Sequence, residues 1–259
     1  MLTPRFARLA ALALVGCATA PTTPAVQAEG VTTHGAHDPP VVEARSSLPP
    51  PALDPARGAE VGQVYEAFLS PQQEPDEEQN TPSTVPSAFR STTPSLTRAQ
   101  RVEAGHRGHG VIRFSRDLSR AWIDVRVEGI DASTVNMFHV HCGRPGILGP
   151  ILLDFALTTD LQRNLSDGVL SVEVTNQHIA ATAAHGHSPL SLVTQGCMIP
   201  SPSLGGAAPT RVSTIAGMAA VAAEGELYFN LHTTGQTYYG DIRGQILRAE
   251  PAPSPATAP

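Results

Sequence analysis

The sequence predicts an all-β protein, a β-sandwich with one short helix, flanked by disordered N- and C-terminal segments. Three observations carry this. Short runs in which apolar and polar residues alternate recur through 58–249, roughly eight of them, with turn residues between. Proline (24) and glycine (22) are frequent enough in 259 residues to favour short strands and loops over a helical bundle. The two flanks, 17–57 and 250–259, are rich in Pro and Ala without a sustained apolar period, which leaves a single stretch able to bury a core. No internal repeat is evident.

In chain order, Met1–Cys17 reads as an address. Arg5 and Arg8 form the positive region, and Leu9–Val15 forms an apolar core too short to span a bilayer. Leu14-Val15-Gly16-Cys17 is similar to a bacterial lipobox, which makes 1–16 a lipoprotein signal peptide and Cys17 the lipidated new N-terminus. The plainer alternative is an ordinary cleaved signal with a chance cysteine. Ala18 resembles the outer-membrane default of such lipoproteins. Acyl chains would then moor the protein to a membrane of the cell envelope, on the periplasmic or surface side, without a spanning helix. Residues 17–57 form a tether in which His34 and His37 are expected to be solvated.

The folded body opens with a strand at Ala59–Leu69. The acidic Gln72–Asn80 stretch is expected to be a solvated loop; the alternative, a calcium site from Glu74, Asp76, Glu77 and Glu78, is disfavoured by their spacing. Ser83–Glu103 carries no assignable pattern. Gly110–Arg116 and Ala121–Glu128 form a hairpin around an Asp117–Arg120 turn; in its second strand Ala121, Ile123, Val125 and Val127 alternate with polar partners. Strands follow at Val135–Cys142, Pro150–Phe155 and Gly168–Thr175. Gln177–Pro209 reads as irregular. Val212–Ala223 places Ile215, Met218, Ala219 and Ala222 at helical spacing. Glu226–His232 alternates again, with Leu227, Phe229 and Leu231 inward, and Asp241–Arg248 closes the pattern.

Composition removes many functions. The net charge is −6 with no basic cluster, so no nucleic-acid partner is expected. All 17 basic residues are arginine; Schiff-base lysine chemistry and the phosphate-loop lysine are therefore excluded. No G-x-S-x-G elbow, dinucleotide fingerprint or H-E-x-x-H helix is present.

What remains is Asn136–Phe155. Alternate side chains of a strand share a face, so His139 and His141 point one way while Phe138, Val140 and Cys142 point the other. The two imidazoles lie close enough along a strand to converge on one ion, and His232 on another strand would complete a Zn or Cu site of nitrogen ligands. His185 and His187 are candidate additional ligands. The alternative is structural, with the three histidines hydrogen-bonding to Asn230, Thr233 and backbone. With Cys17 lipidated, Cys142 and Cys197 remain, and in an oxidising compartment they are expected to pair; two buried free thiols are the alternative.

Three pieces together resemble the chordin-type (CHRD) domain family. They are Phe138-His139-Val140-His141 before a Gly-rich turn, Tyr228-Phe229-Asn230-Leu231-His232-Thr233, and Gly240-Asp241-Ile242-Arg243-Gly244-Gln245-Ile246. Cys142 stands where the family has glycine directly after the second histidine. The resemblance covers about Ala59 to Arg248 and implies an immunoglobulin-like Greek-key sandwich in a secreted bacterial protein with no settled enzymatic activity. A weaker likeness is to copper/zinc superoxide dismutase, whose F-H-V-H strand Phe138–His141 resembles; the flanks and spacing of His178, His185, His187 and His232 do not match that family's remaining ligands. The expectation is a membrane-anchored envelope lipoprotein whose domain is a non-catalytic binding module for a protein or polysaccharide. The alternative is a Cu/Zn redox protein.

Overall fold

The structure, a computed structural model, describes residues 60–185, 197–200 and 209–250. Met1–Cys17, the tether, the C-terminal tail and His187 lie outside the described residues.

Among the described residues there are ten strands: β1 (Val61–Leu69), β2 (Arg107–Ser115), β3 (Arg120–Glu128), β4 (Val135–Cys142), β5 (Ile151–Asp154), β6 (Val169–Thr175), β7 (Met198–Pro200), β8 (Pro209–Arg211), β9 (Leu227–Thr233) and β10 (Ile242–Arg248). Eight of them form one antiparallel sheet in the order β5-β4-β9-β10-β1-β2-β3-β6, and β7 and β8 form a separate ribbon. The all-β class and the strands expected from alternation are borne out.

The sheet curls over on itself. Strands β1 and β10 are joined only at Tyr65↔Arg248 and Glu66↔Leu247, with a bridge at Ser70↔Arg243. There the layer β5-β4-β9-β10 turns to face the layer β1-β2-β3-β6. Gly110 on β2 shows how closely they meet: a Cβ at this position would lie 2.6 Å from the ring of Phe229 on β9. Tyr65, Ile112, Phe114, Ile123 and Val125 from one layer and Phe138, Val140, Phe229, Leu231 and Ile246 from the other fill the space between, all fully buried. Burial of this kind stabilises by about 1.5–3 kcal/mol per large side chain.

Several short helices accompany the sheet: α1 (Glu77–Asn80), α2 (Arg98–Glu103), α3 (Leu161–Asn164), α4 (Asn176–His185) and α5 (Ile215–Ala223). The helix expected near Val212–Ala223 is α5; Thr214 caps it by accepting from the Gly217 amide, and Ile215, Met218, Ala219 and Ala222 face the core.

Two expectations need correction. The start of the segment read as irregular is helix α4, whose alanines favour a helix but which buries only Ile179 and Thr182, too sparse an apolar set to reveal its period. The acidic Gln72–Asn80 stretch is not a solvated loop, since Glu74 and Glu77 are 2% and 3% exposed. The Glu77 carboxylate accepts hydrogen bonds from the Tyr238 and Tyr239 amides and from Ser91 Oγ. The unassigned Ser83–Glu103 segment packs beside it. Amides of Thr92 and Thr93 donate to the Thr234 carbonyl, and Arg101, wholly buried, donates to the carbonyl oxygen of Asp241. All seven residues of β9 are consequently buried on both faces.

Candidate metal centre

Strands β4 and β9 run antiparallel with His139 opposite Asn230, His141 opposite Tyr228 and Met137 opposite His232. Directly opposed residues share a face, and the period-two alternation sets Phe138, Val140, Phe229 and Leu231 on the other. The outward face thus gathers His139, His141 and His232, at 3%, 5% and 4% exposure. Ring centroids are 5.2 Å apart for His139–His141, 5.3 Å for His139–His232 and 6.4 Å for His141–His232. One ring nitrogen from each lies within 4.8 Å of the other two.

Hydrogen bonds fix which nitrogens are available. His141 Nδ1 is 2.9 Å from the Gly149 carbonyl oxygen and His232 Nδ1 is 3.0 Å from that of Thr237. A carbonyl oxygen only accepts, so both Nδ1 atoms carry the proton. His139 Nε2 faces Asp154 Oδ1 at 3.8 Å. The nitrogens left over, His139 Nδ1, His141 Nε2 and His232 Nε2, are buried without a hydrogen-bond partner among the described residues.

The rings are also held neutral. Burial pushes His141 down to about 3 and His232 to about 4. His139 is driven well below the ordinary histidine value, first by burial and then by the neighbouring His141 and His232. A neutral imidazole with one N–H engaged presents a lone pair on the other nitrogen. Three buried imidazoles with one nitrogen of each within 4.8 Å of the others form a ligand set for an ion with a preference for nitrogen. Orientation of the His141 and His232 rings by a carbonyl on the far nitrogen is the outer-shell arrangement typical of metal-bound histidine, while His139 has the Asp154 carboxylate nearby without a hydrogen bond. Metal–nitrogen bonds of about 2.0–2.1 Å need the rings to close in by less than about 1 Å.

The site has a built wall. Tyr228 stacks on His141 with centroids 4.9 Å apart and planes 7° off parallel, and the Arg243 guanidinium lies 3.5 Å from the Tyr228 centroid on the ring face. Arg243 donates to the Ile147 and Arg144 carbonyls, and Tyr228 Oη accepts from the Gly149 amide. The turn between β4 and β5 is thereby pinned, with Gly149 in place to orient His141.

The structural alternative is realised on one side of two rings. His141 and His232 bond backbone carbonyls, but Asn230 donates instead to the Tyr239 carbonyl and Thr233 to Asp241. His185 does not join the group; it is exposed at the end of α4, near enough to Asp154 to act on its carboxyl through charge. His178 accepts from the Thr175 amide. Cys142 and Cys197 form a disulfide with Cα atoms 5.6 Å apart, on the core side of β4 and away from the imidazoles. Asp154, Gly149, Thr237 and Tyr228 were not singled out from the sequence as supports. The signal for Asp154 was its place four residues into the strand that pairs back against His139.

The CHRD domain model matches residues 92–246, a span that contains β4, β9 and all three histidines. The chain belongs to the CHRD domain family. Strand β1, ahead of the matched residues, is nonetheless part of the CHRD sheet here, hydrogen-bonded along β2. No curated protein and no solved structure matches the chain.

Proposed function

We propose that this CHRD domain is a non-catalytic metal-binding module of the bacterial cell envelope, tethered through a lipidated Cys17 to the outer membrane. The observation that carries the metal reading is the convergence of three buried, unpartnered imidazole nitrogens. A buried acceptor without a donor costs about 1–3 kcal/mol, and three together on one patch are a liability that a bound cation removes. The slight exposure of the rings supports holding an ion rather than turning over a substrate. Support for the anchor is the Leu14–Cys17 lipobox-like sequence and the tether behind it.

The test is elemental analysis of the purified protein before and after dialysis against a chelator, with melting curves of both forms. One Zn or Cu per chain, with a lower melting temperature after removal, is the expected result. A metal-free protein whose melting is indifferent to added Zn and Cu overturns the reading. For the anchor, Cys17→Ser should move the protein from the membrane to the soluble fraction.

A further inference from the structure

Resting on the metal reading above, we infer that the ion is copper, held as Cu(I), with the Met137 thioether as a fourth ligand beside His139, His141 and His232. Met137 is paired directly with His232 across β4 and β9 and stands two residues before His139 on the same strand. Directly opposed residues have Cβ atoms about 4.5–5.5 Å apart on one face, and residues i and i+2 of a strand share that face. Met137 is therefore a neighbour of two of the three imidazoles on their face of the sheet. Its burial is intermediate rather than complete.

The donor set then has a distinct character. Thioether sulfur is a soft ligand that selects Cu(I), whereas imidazole alone suits Zn and Cu alike. The described cysteines are joined in the Cys142–Cys197 disulfide and offer no thiolate. Charge argues independently in the same direction. The three imidazoles are uncharged donors; the Asp154 carboxylate faces His139 Nε2, the nitrogen turned away from the free set, and the Asp241 carboxylate, which accepts from Thr233, bears on His232 through charge. The Arg243 guanidinium bears on His141 as a like charge. Burying a cation among neutral ligands beside a guanidinium costs less for a single charge than for two. A monovalent ion tolerant of three or four soft and nitrogen ligands fits this place better than a dication that would bring a carboxylate with it.

The test uses the full chain and its Met137→Leu variant, which conserves volume and leaves the core side of β4 untouched. Cu(I) affinity is measured by competition with a chromogenic Cu(I) chelator under ascorbate, and Zn(II) affinity by competition with a fluorescent zinc indicator. Met137→Leu should lower Cu(I) affinity by about 10–100-fold or more, at least the loss expected from an outer-shell partner, while Zn(II) affinity falls far less. X-ray absorption of the Cu(I)-loaded wild type should show a sulfur scatterer that the variant lacks. Unchanged Cu(I) affinity in the variant overturns the assignment, as does an equal fall for both ions accompanied by a lower melting temperature, which marks Met137 as packing only. Wild type that binds Zn(II) but prefers it to Cu(I) also overturns it while leaving the metal site standing; wild type that binds neither ion removes the underlying reading.

Discussion

The two faces of the β4–β9 pair are made from the same few residues and do opposite work. Inward, Phe138, Val140, Phe229 and Leu231 meet the facing layer as an ordinary apolar core. Outward, His139, His141, His232, Tyr228 and Asn230 are just as buried, beneath the β4–β5 turn and the segment that runs from β1 to β2. Buried apolar groups are satisfied by contact alone. Buried polar groups must each find a partner, and on the outer face three nitrogens do not. Asn230 Oδ1 and Gln245 Oε1 lack a partner on this face as well; the histidines stand apart because one nitrogen from each lies within 4.8 Å of the other two.

The contrast is sharpest in its pH dependence. The three histidines have folded values below their ordinary one, so the unfolded chain binds more protons over that interval, and stability is lost as pH falls from about 6.5 toward 4 and 3. Metal-free protein should therefore lose stability progressively through that window, with the loss deepening toward its acid end. Glu74, raised by burial to about 8, carries the opposite sign: its contribution is present below about 4.5 and is lost as pH rises through 8. Denaturant melts across pH should therefore show a maximum near neutrality with a steep acid limb and a shallow alkaline one, and Glu74→Gln should remove the alkaline limb alone. A flat acid limb would mean that the imidazoles are not buried neutral.

Substitutions separate the faces next. Phe229→Ala, at the contact with Gly110, should cost about 3–5 kcal/mol in denaturant melts whether or not metal is present. Replacing Cys142 and Cys197 with Ala opens a 55-residue link and should cost about 4 kcal/mol in the chain-entropy model. His139→Leu should change the stability of the metal-free protein by less than about 1 kcal/mol, because it removes an unpaired acceptor rather than a bond, and should abolish metal-dependent stabilisation. If His139→Leu instead costs as much as Phe229→Ala, the outer face is a structural network and not a ligand set.

Much of this was legible in the sequence. Alternation located the strands, and the same period of two put His139 and His141 together and Cys142 opposite them. The motif residues Tyr228–Thr233 placed His232. What stayed hidden depends on partners distant in sequence. Glu74, Glu77 and Arg101 look like solvated charges, and only the fold shows them buried, with Glu77 capping the Tyr238–Tyr239 backbone. Helix α4 has one large apolar residue toward the core and so lacks a visible stripe. The orientations of His141 and His232 are set by Gly149 and Thr237, and nothing local to the histidines names those two or the neighbouring Asp154.

The central claim is that His139 Nδ1, His141 Nε2 and His232 Nε2 point at a common ion. Anomalous diffraction from crystals of the protein as isolated, collected on either side of the copper and zinc absorption edges, tests it most directly. The account predicts one strong peak at bonding distance from those three nitrogens. Density showing the same nitrogens hydrogen-bonded to ordered water, with no anomalous signal after soaking in either metal, would contradict it.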